Sequence, residues 1–203
     1  MQLIETLRHE GVRDEKVLEA MSRLPRHLFL EKAFEEWAYK NVAFPIGNDQ
    51  TISQPLTVAI QTGLLEVKKG EKILEVGTGS GYQACILSLL GAKVYTIERQ
   101  SALYEKTEKL LKELGFGLIR TFLGDGYAGL PRFAPFDKIL VTAGAETLPE
   151  TLIDQLGVGG HLVIPIGGSD VQTMWRYTKV DEGNIKSESF GKFKFVPFLK
   201  GTQ

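Results

Sequence analysis

Residues 72–83 read KILEVGTGSGYQ, an apolar run that leads into three alternating glycines. Residues 73–76 predict a buried strand, and the apolar segment 82–90 that follows the glycines predicts a helix. The glycines permit positive φ angles and let the backbone pass close to a ligand. A glycine turn alone is a weak indication of a site, because some strand-to-helix turns are simply tight.

The alternation of strands and helices continues downstream. The helix after the second predicted strand places Leu103, Thr107 and Leu111 on one apolar face. Strands that alternate with helices predict a mostly parallel sheet with helices on both faces. Residues 173–180 and 187–198 instead predict strands joined by a turn, which gives the sheet an antiparallel finish. The other expected strands span residues 94–98, 119–123, 138–142 and 161–166, and a helix is expected over residues 149–156.

The N-terminal third has a different pattern. Asp14 is placed to cap a helix that Pro25 ends, and a second amphipathic patch covers about residues 28–39. Residues 41–55 are rich in turn formers and predict an irregular loop before a helix over residues 56–65. A long ordered loop between helices is more often functional than filler. We therefore expect one domain over residues 1–203, with N-terminal helices and a substrate loop (1–65), a cofactor-binding βα core (72–167) and C-terminal strands (168–203).

Composition excludes several classes of protein. The chain has 203 residues, 24 Lys and Arg against 25 Asp and Glu, and a formal net charge of −1. No nucleic-acid partner is expected, because such domains usually carry a basic excess or stripe. The single cysteine, Cys85, excludes an internal disulfide and a thiolate zinc site, and no metal site is expected. With neither a signal peptide nor an uncharged apolar run of about 18 residues, we expect a cytoplasmic protein that does not enter a membrane.

Acidic residues after the predicted strands indicate an adenosine-containing ligand. Glu98 lies about 20 positions after Gly77, where a carboxylate can accept hydrogen bonds from both ribose hydroxyls. The dinucleotide fingerprint needs glycine or alanine at position 82, which is Tyr82 here, so the match to NAD-binding proteins fails. Asp125 closes the third strand and can accept a hydrogen bond from an adenine amino group. Taken alone, Asp125 with Gly126 is better interpreted as a turn.

Glu75 is the remaining acid of this set. It is either a surface acid at a strand edge or a buried carboxylate, which would need a partner such as the ammonium of a bound amino-acid moiety. The glycine turn, Glu75, Glu98 and Asp125 in this order resemble the class I S-adenosylmethionine-dependent methyltransferases. The resemblance implies a Rossmann-like fold, S-adenosyl-L-methionine as cofactor and S-adenosyl-L-homocysteine as product. The residues that it assigns to the cofactor are Glu75, Gly77, Thr78, Gly79, Ser80, Gly81, Glu98, Arg99, Asp125 and Gly126.

The methyl acceptor decides what other groups are needed. An amine or hydroxyl usually needs a base to remove its proton, whereas a carboxylate is already ionised at neutral pH. A carboxylate needs positioning, partial removal of water and hydrogen-bond donors. Residues 51–55, TISQP, offer two hydroxyls, a side-chain amide and backbone amides. From composition alone, a cap on the helix over 56–65 is the better interpretation of Ser53 and Gln54.

Several segments resemble the protein-L-isoaspartate O-methyltransferases. FPIGNDQTISQPLTVA (44–59) is similar to the substrate-loop signature of that family, and LEVGTGSGYQ (74–83) is similar to its cofactor motif. The loop motif is the specific part, because many methyltransferases share the cofactor motif. The similarity covers nearly the whole chain and includes FDKILVTAGAETLPETLIDQL (136–156), GGHLVIPIG (159–167) and FKFVPFL (193–199).

This resemblance implies an activity and residue roles. The implied reaction is methyl transfer to the free carboxylate of L-isoaspartyl residues, with D-aspartyl residues as a second candidate, in damaged proteins and peptides. It would start a repair that passes through a succinimide, and a monomer is expected. Ser53 is implied as the catalytic residue, which orients the carboxylate by hydrogen bonding and forms no covalent bond. Thr51, Ile52 and Gln54 would line the same pocket, and Val196 would hold the peptide backbone.

Departures from the family pattern and two alternatives complete the interpretation. Gly144 and Glu146 replace small apolar residues, and His161 stands where a basic residue is usual, which bears on peptide preference and not on the reaction. One alternative is a class I methyltransferase that acts on a small molecule or RNA. An RNA enzyme is expected to carry an Asn/Asp-Pro-Pro-Tyr motif where residues 141–144 read VTAG. The other is a non-catalytic nucleotide-binding module, in which the donors of residues 51–55 would have no use.

Overall fold

The N-terminal third is largely helical, and the computed structural model describes residues 2–203. Asp14 caps the second helix as predicted, because its carboxylate accepts hydrogen bonds from the amides of Lys16 and Val17 at 3.0 and 3.2 Å. The elements are α1 (Gln2–His9), α2 (Glu15–Arg23), two 3-10 helices (Arg26–Phe29 and Lys32–Trp37), strands β1 (Phe44–Gly47) and β2 (Gln50–Ile52), and α3 (Pro55–Leu65).

Two parts of this region differ from the expectation. The patch at residues 28–39 is not one amphipathic helix, since the chain kinks at Phe34 and residues 32–37 are exposed. Residues 41–55 are not wholly irregular, since β1 and β2 pair as an antiparallel hairpin. The turn formers that predicted a loop occupy the hairpin turn, where Asn48 and Asp49 have φ angles of 52° and 55°.

From residue 72 strands and helices alternate as predicted. The elements are β3 (Lys72–Val76), α4 (Tyr82–Leu89), β4 (Lys93–Glu98), α5 (Ser101–Glu113), β5 (Arg120–Leu123), a 3-10 helix (Pro131–Phe133), β6 (Phe136–Val141), α6 (Glu150–Asp154), β7 (Leu156–Gly167), β8 (Gln172–Lys179) and β9 (Ile185–Phe193). The sheet order is β5-β4-β3-β6-β7-β8-β9, parallel up to β7 and antiparallel for β8 and β9. The order reverses between β3 and β6, which is where open sheets of this kind bind ligands.

The last strand is shorter than predicted. It ends at Phe193, whereas the alternating pattern extends to residue 198. Residues beyond it leave the sheet ladder, and Pro197 forms a parallel bridge with Gly144 instead. The C-terminal segment therefore crosses the carboxyl edge of the sheet near β6.

The sheet is buried on both faces. Ile73 and Leu74 are adjacent in β3, belong to different core clusters and are both 0% exposed. The cluster around Ile73 includes residues of α1 to α4, and the cluster around Leu74 includes Leu152 of α6. This double burial fixes the strands and hence the edge at which they end. None of the helices in residues 2–203 has the length and hydrophobicity needed to cross a bilayer.

Candidate active site

The turn after β3 has the backbone conformation that its glycines predict. Gly77, Gly79 and Gly81 have φ angles of 100°, 51° and 84°. The Thr142 hydroxyl donates a hydrogen bond to the Gly77 carbonyl at 2.8 Å, and a Cβ atom at Gly77 would collide with that hydroxyl. A Cβ atom at Gly81 would lie 2.8 Å from the Thr107 side chain. Larger residues at these two positions would therefore displace the turn.

Glu98 fixes this turn from the end of β4. Its side chain is only 5% exposed, and its carboxylate accepts hydrogen bonds from the amides of Gly79, Arg99 and Gln100 at 2.9, 2.9 and 3.0 Å. A carboxylate has about four acceptor positions, so about one remains for a ligand. Glu98 is therefore first a structural anchor, and its predicted contact with both ribose hydroxyls has to share these oxygens.

Glu75 is buried completely and not at a surface edge. It is 0% exposed, accepts a hydrogen bond from the Thr96 hydroxyl through Oε2, and leaves Oε1 without a partner. Burial raises the pKa of Glu75 to about 8, although the hydrogen bond from Thr96 acts to lower it. The carboxyl is therefore largely protonated at neutral pH. The buried alternative is thus the correct one, and the ammonium partner predicted for Glu75 stays a prediction.

The C-terminal segment already contacts two residues predicted to bind cofactor. Asp125 accepts from the amide of Tyr127 through Oδ1 and from the amide of Gly201 through Oδ2, both at 2.9 Å. The Arg99 guanidinium donates to the Gly201 carbonyl at 3.1 Å and to the Gln203 side chain at 3.0 Å. Asp125 thus forms the turn of the simpler interpretation, and an adenine contact stays a prediction.

A cleft lies beside this turn, and we call it the glycine-turn cleft. Phe198, which stacks on Tyr127 at a centroid distance of 3.9 Å, forms part of its wall. Glu75, Gly81, Asp125 and Gln54 do not line it. The predicted residues that do are Thr51, Ile52, Ser53, Gly77, Thr78, Gly79, Ser80, Glu98, Arg99, Gly126 and Val196.

A second cavity of about 500 Å³ adjoins the first, and we call it the lysine groove after Lys192 and Lys194 in its wall. Gln54 lines this groove. Four residues line both cavities, so molecules bound in the two can meet there. They are Thr51, Ser53, Thr142 and Val196.

The structure does not support a capping role for Ser53 and Gln54. Gln54 is the N-cap residue of α3 but makes no capping side-chain bond. The backbone amide of Leu56 donates to the Asn41 Oδ1 at 3.0 Å, and the Gln54 side-chain Nε2 donates to the Asn41 carbonyl at 3.0 Å. Within residues 2–203, the Ser53 side-chain hydroxyl has no hydrogen bond, whereas the Ser53 carbonyl does. The Ser53 hydroxyl is therefore available to a ligand.

Arg26 holds residues 51–55, which we call the Ser53 segment, and was missed by sequence reasoning. Its Nη2 donates to the Ser53 carbonyl at 2.6 Å, and its guanidinium lies 4.8 Å from the centre of the Tyr82 ring. The residue is 2% exposed, and its Nε and Nη1 have no partner. Burial lowers the pKa of Arg26 to about 10, which keeps it charged at neutral pH. Within residues 2–203, no carboxylate forms an ion pair with this cation.

Gln172 and Gly144 fix the segment that carries Val196, and both were missed as positioning groups. The Gln172 side chain accepts from the amide of Phe195 at 2.9 Å, and the Gly144 amide donates to the Val196 carbonyl at 2.8 Å. A Cβ atom at Gly144 would lie 2.8 Å from the Gln172 side chain. The departure to glycine at position 144 therefore makes room for Gln172.

Thr142 had a usable sequence signal, because it ends a predicted strand at the edge where ligands bind. Arg26 had none, since it lies between two predicted amphipathic segments and a lone arginine is usually exposed. His161 lines neither cavity: it lies 3.0 Å from the Thr178 hydroxyl and 3.6 Å from Glu66, and burial with neighbouring Lys138 and Arg176 lowers its pKa. Its departure from the family pattern does not act through these two cavities.

The sequence of this chain has close relatives. Residues 1–203 match the family model described as Protein-L-isoaspartate(D-aspartate) O-methyltransferase (PCMT). A protein-L-isoaspartate O-methyltransferase of Christiangramia forsetii is 56% identical over 199 residues, which cover 98% of this chain and 93% of the relative. One from Dictyoglomus turgidum is 47% identical over 199 residues, which cover 98% of this chain and 90% of the relative.

Solved structures show the same fold. A protein-L-isoaspartate O-methyltransferase superposes with a TM-score of 0.86 at 29% identity and covers 97% of this chain. This chain spans 64% of that solved chain. A second structure, described as "beta-aspartate methyltransferase (PCMT) from Plasmodium falciparum in complex with S-adenosyl-L-homocysteine", superposes with a TM-score of 0.86 at 26% identity, over 98% of each chain.

Proposed function

The chain belongs to the protein-L-isoaspartate(D-aspartate) O-methyltransferase family, and from this premise we propose how its residues serve the reaction. The protein is a methyltransferase that uses S-adenosyl-L-methionine and acts on the free carboxylate of L-isoaspartyl residues in damaged proteins. The methyl ester collapses to a succinimide more readily than the free acid does, and part of that succinimide reopens as normal aspartate. The transfer thus initiates protein repair.

The glycine-turn cleft fits the cofactor. Gly77 and Gly79 line the cleft with backbone atoms alone, and Glu98 is an acceptor in its wall. When bound, S-adenosyl-L-methionine supplies an electrophilic methyl group on a positively charged sulfur. The glycines would let the chain lie against the amino-acid part, Glu98 would accept from the ribose, and Gly126 with Phe198 would flank the adenine.

The observation that carries the proposed mechanism is the meeting of the two cavities at Thr51, Ser53, Thr142 and Val196. None of these four groups is a base, and a carboxylate acceptor needs none because it carries no proton to remove. The Ser53 hydroxyl would donate to the acceptor carboxylate and orient it, with Thr51 beside it. Val196, fixed by Gly144, would hold the peptide backbone.

The buried charge of Arg26 supports an anionic acceptor. Arg26 lies behind the Ser53 carbonyl without a carboxylate partner among residues 2–203. A cation of this kind attracts an anion and has no net attraction for the neutral ester that the reaction makes. Binding the acceptor more tightly than the ester also helps the product to leave.

We further propose that the protein works as one domain over residues 1–203 and as a monomer in the cytoplasm. The near-zero net charge supports peptide substrates over nucleic acid. Residues 141–144, VTAG, give no support to the RNA-modifying alternative.

A labelled-methyl assay tests the proposed function. An isoaspartyl peptide and its normal aspartyl twin differ only in which carboxylate is free, so only the first is expected to gain label. Equal labelling of the twins would overturn the proposal. S-adenosyl-L-homocysteine at about 100 times its Kd should stabilise the protein by ~2.7 kcal/mol, and NAD at the same concentration should not.

A further inference from the structure

The lysine groove carries positive charge that the transfer itself does not use. Lys192 and Lys194 line the groove but not the glycine-turn cleft. The other residues of its wall are apolar or uncharged, so no acid of the wall offsets the two lysines. This local excess contrasts with the formal net charge of −1 of the whole chain.

The two ammonium groups are available to a ligand. Lys192 and Lys194 are exposed, because the chain alternates and buries Phe195 on its other side. Lys192 Nζ donates to the Thr173 hydroxyl at 2.7 Å, which leaves further donors free. Within residues 2–203, neither lysine forms an ion pair. Asp170, the acid next to Val171 of the groove wall, pairs with neither of them.

The position of the lysines separates them from the reacting carboxylate. The methyl group is supplied from the glycine-turn cleft, so the acceptor carboxylate must lie at the four residues that line both cavities. Lys192 and Lys194 belong to the part of the wall that is confined to the groove. A bound peptide would therefore bring its flanking residues, and not its isoaspartate, to the lysines.

We propose that Lys192 and Lys194 form a subsite for an acidic side chain next to the isoaspartyl residue in the peptide substrate. The proposal rests on the proposed function and names a substrate class within it. Two exposed charges attract a flanking carboxylate by a screened interaction, so the subsite should act on peptide affinity and not on the methyl transfer itself.

Kinetics with matched peptides test the subsite. Each peptide has one isoaspartate. Glu, Gln or Lys is placed, one position at a time, at the two residues before the isoaspartate and the two residues after it. At the responsive position, Glu should lower KM about threefold to tenfold relative to Gln, Lys should raise it, and kcat should stay the same. The Glu advantage should shrink as NaCl rises from about 0.02 M to about 0.3 M.

Variants assign the effect to the lysines. Lys194→Glu should remove or reverse the preference for Glu over Gln, and Lys192→Glu should weaken it, while the Gln peptide keeps its wild-type kcat. Lys69→Glu is the matched control, because Lys69 is exposed, lines neither cavity and changes the total charge equally. This control should keep the wild-type preference.

Three results would overturn the subsite. The first is equal KM for Glu and Gln at all four positions. The second is an equal loss of affinity for every peptide in Lys194→Glu, because the lysine would then bind the acceptor carboxylate. The third is that a short oligonucleotide inhibits methylation of the Glu peptide and the Gln peptide equally, and the enzyme shows no preference between the two peptides. This result would indicate a nucleic-acid surface. Methylation of the Gln peptide in each case would leave the proposed function intact.

Discussion

The walls of the glycine-turn cleft and the Ser53 segment differ in how their polar groups are used. On the cleft side, Glu98 accepts from three amides and Thr142 donates to the turn. On the Ser53 side, the Ser53 hydroxyl and two nitrogens of Arg26 have no hydrogen bond within residues 2–203. One side is organised by its own hydrogen bonds, and the other keeps the Ser53 hydroxyl free in the cleft wall with a buried cation behind its carbonyl. Changes on the first side should affect stability and cofactor affinity together, and changes on the second should affect turnover and peptide binding but not cofactor affinity.

Glu98→Ala should give the largest effect and tests the first side. Removal of the carboxylate leaves the amides of Gly79, Arg99 and Gln100 without an acceptor. Each buried amide left unpaired costs about 1–3 kcal/mol of stability. Affinity for S-adenosyl-L-homocysteine, measured by calorimetry, should fall about 100-fold or more, and the melting temperature should fall with it. Glu105→Ala, an exposed acid on α5, should change neither. An affinity within about threefold of wild type would separate Glu98 from the cofactor.

Arg26→Met tests the second side. Without the guanidinium, the Ser53 carbonyl loses the donor that positions it, so kcat should fall about 30-fold. The acceptor also loses a nearby positive charge, so KM for the peptide should rise, while affinity for S-adenosyl-L-homocysteine stays within about twofold. Arg26→Lys retains the charge and should recover part of the rate. Titration with S-adenosyl-L-homocysteine measures the concentration of folded enzyme, and kcat is calculated from that concentration.

A charge-dependent readout distinguishes Arg26 from a merely structural residue. The wild type should bind an isoaspartyl peptide more tightly than the neutral amide analogue of that peptide. Arg26→Met should lose this preference, and Arg26→Lys should keep it. An unchanged preference in Arg26→Met would show that the buried cation does not act on the acceptor.

The two sides also differed in how far the sequence predicted them. The glycine turn and Glu98 were predictable because adjacent residues fix them: an apolar run, a turn that needs positive φ, and an acid at the end of the next strand. The hydrogen bond from Arg26 to the Ser53 carbonyl joins residues that are 27 positions apart. It depends on how two segments pack, and a single sequence carries no local signal for that. The end of β9 was missed for a related reason, because residues 194–198 alternate like a strand whether or not a neighbour pairs with them.

Ser53→Ala and Thr142→Val compare one hydroxyl from each side. Ser53→Ala should lower turnover about 10-fold, less than Arg26→Met, because Thr51 keeps a second donor in place. Its free energy of unfolding should stay within about 0.5 kcal/mol of wild type, since the hydroxyl has no partner to lose within residues 2–203. Thr142→Val should lose about 1 kcal/mol, because the Gly77 carbonyl loses its donor, whereas the Val76 carbonyl still accepts from the amide of residue 142. Equal stability losses in urea unfolding would contradict the contrast.

Glu75→Gln tests an exception on the cleft side, since Oε1 of Glu75 has no partner. The pKa of Glu75 is raised from 4.5 to about 8 by burial, so the folded protein keeps a proton that the unfolded chain releases above 4.5. The free energy of unfolding of the wild type therefore falls as pH rises from about 4.5 to about 8, and this contribution is intact below that window. Glutamine has no proton to lose.

The stability of Glu75→Gln relative to wild type should thus increase across the window, by up to about 5 kcal/mol, and level off at both ends. Urea unfolding at several pH values measures it, and a difference that does not change with pH would show that Glu75 is not protonated in the fold. Affinity for S-adenosyl-L-homocysteine gives a second readout on the same variant. A loss of affinity would support Glu75 as the partner of the ligand's ammonium. An unchanged affinity would make Glu75 a core residue of β3, and the cofactor would then depend on the glycine turn and Glu98.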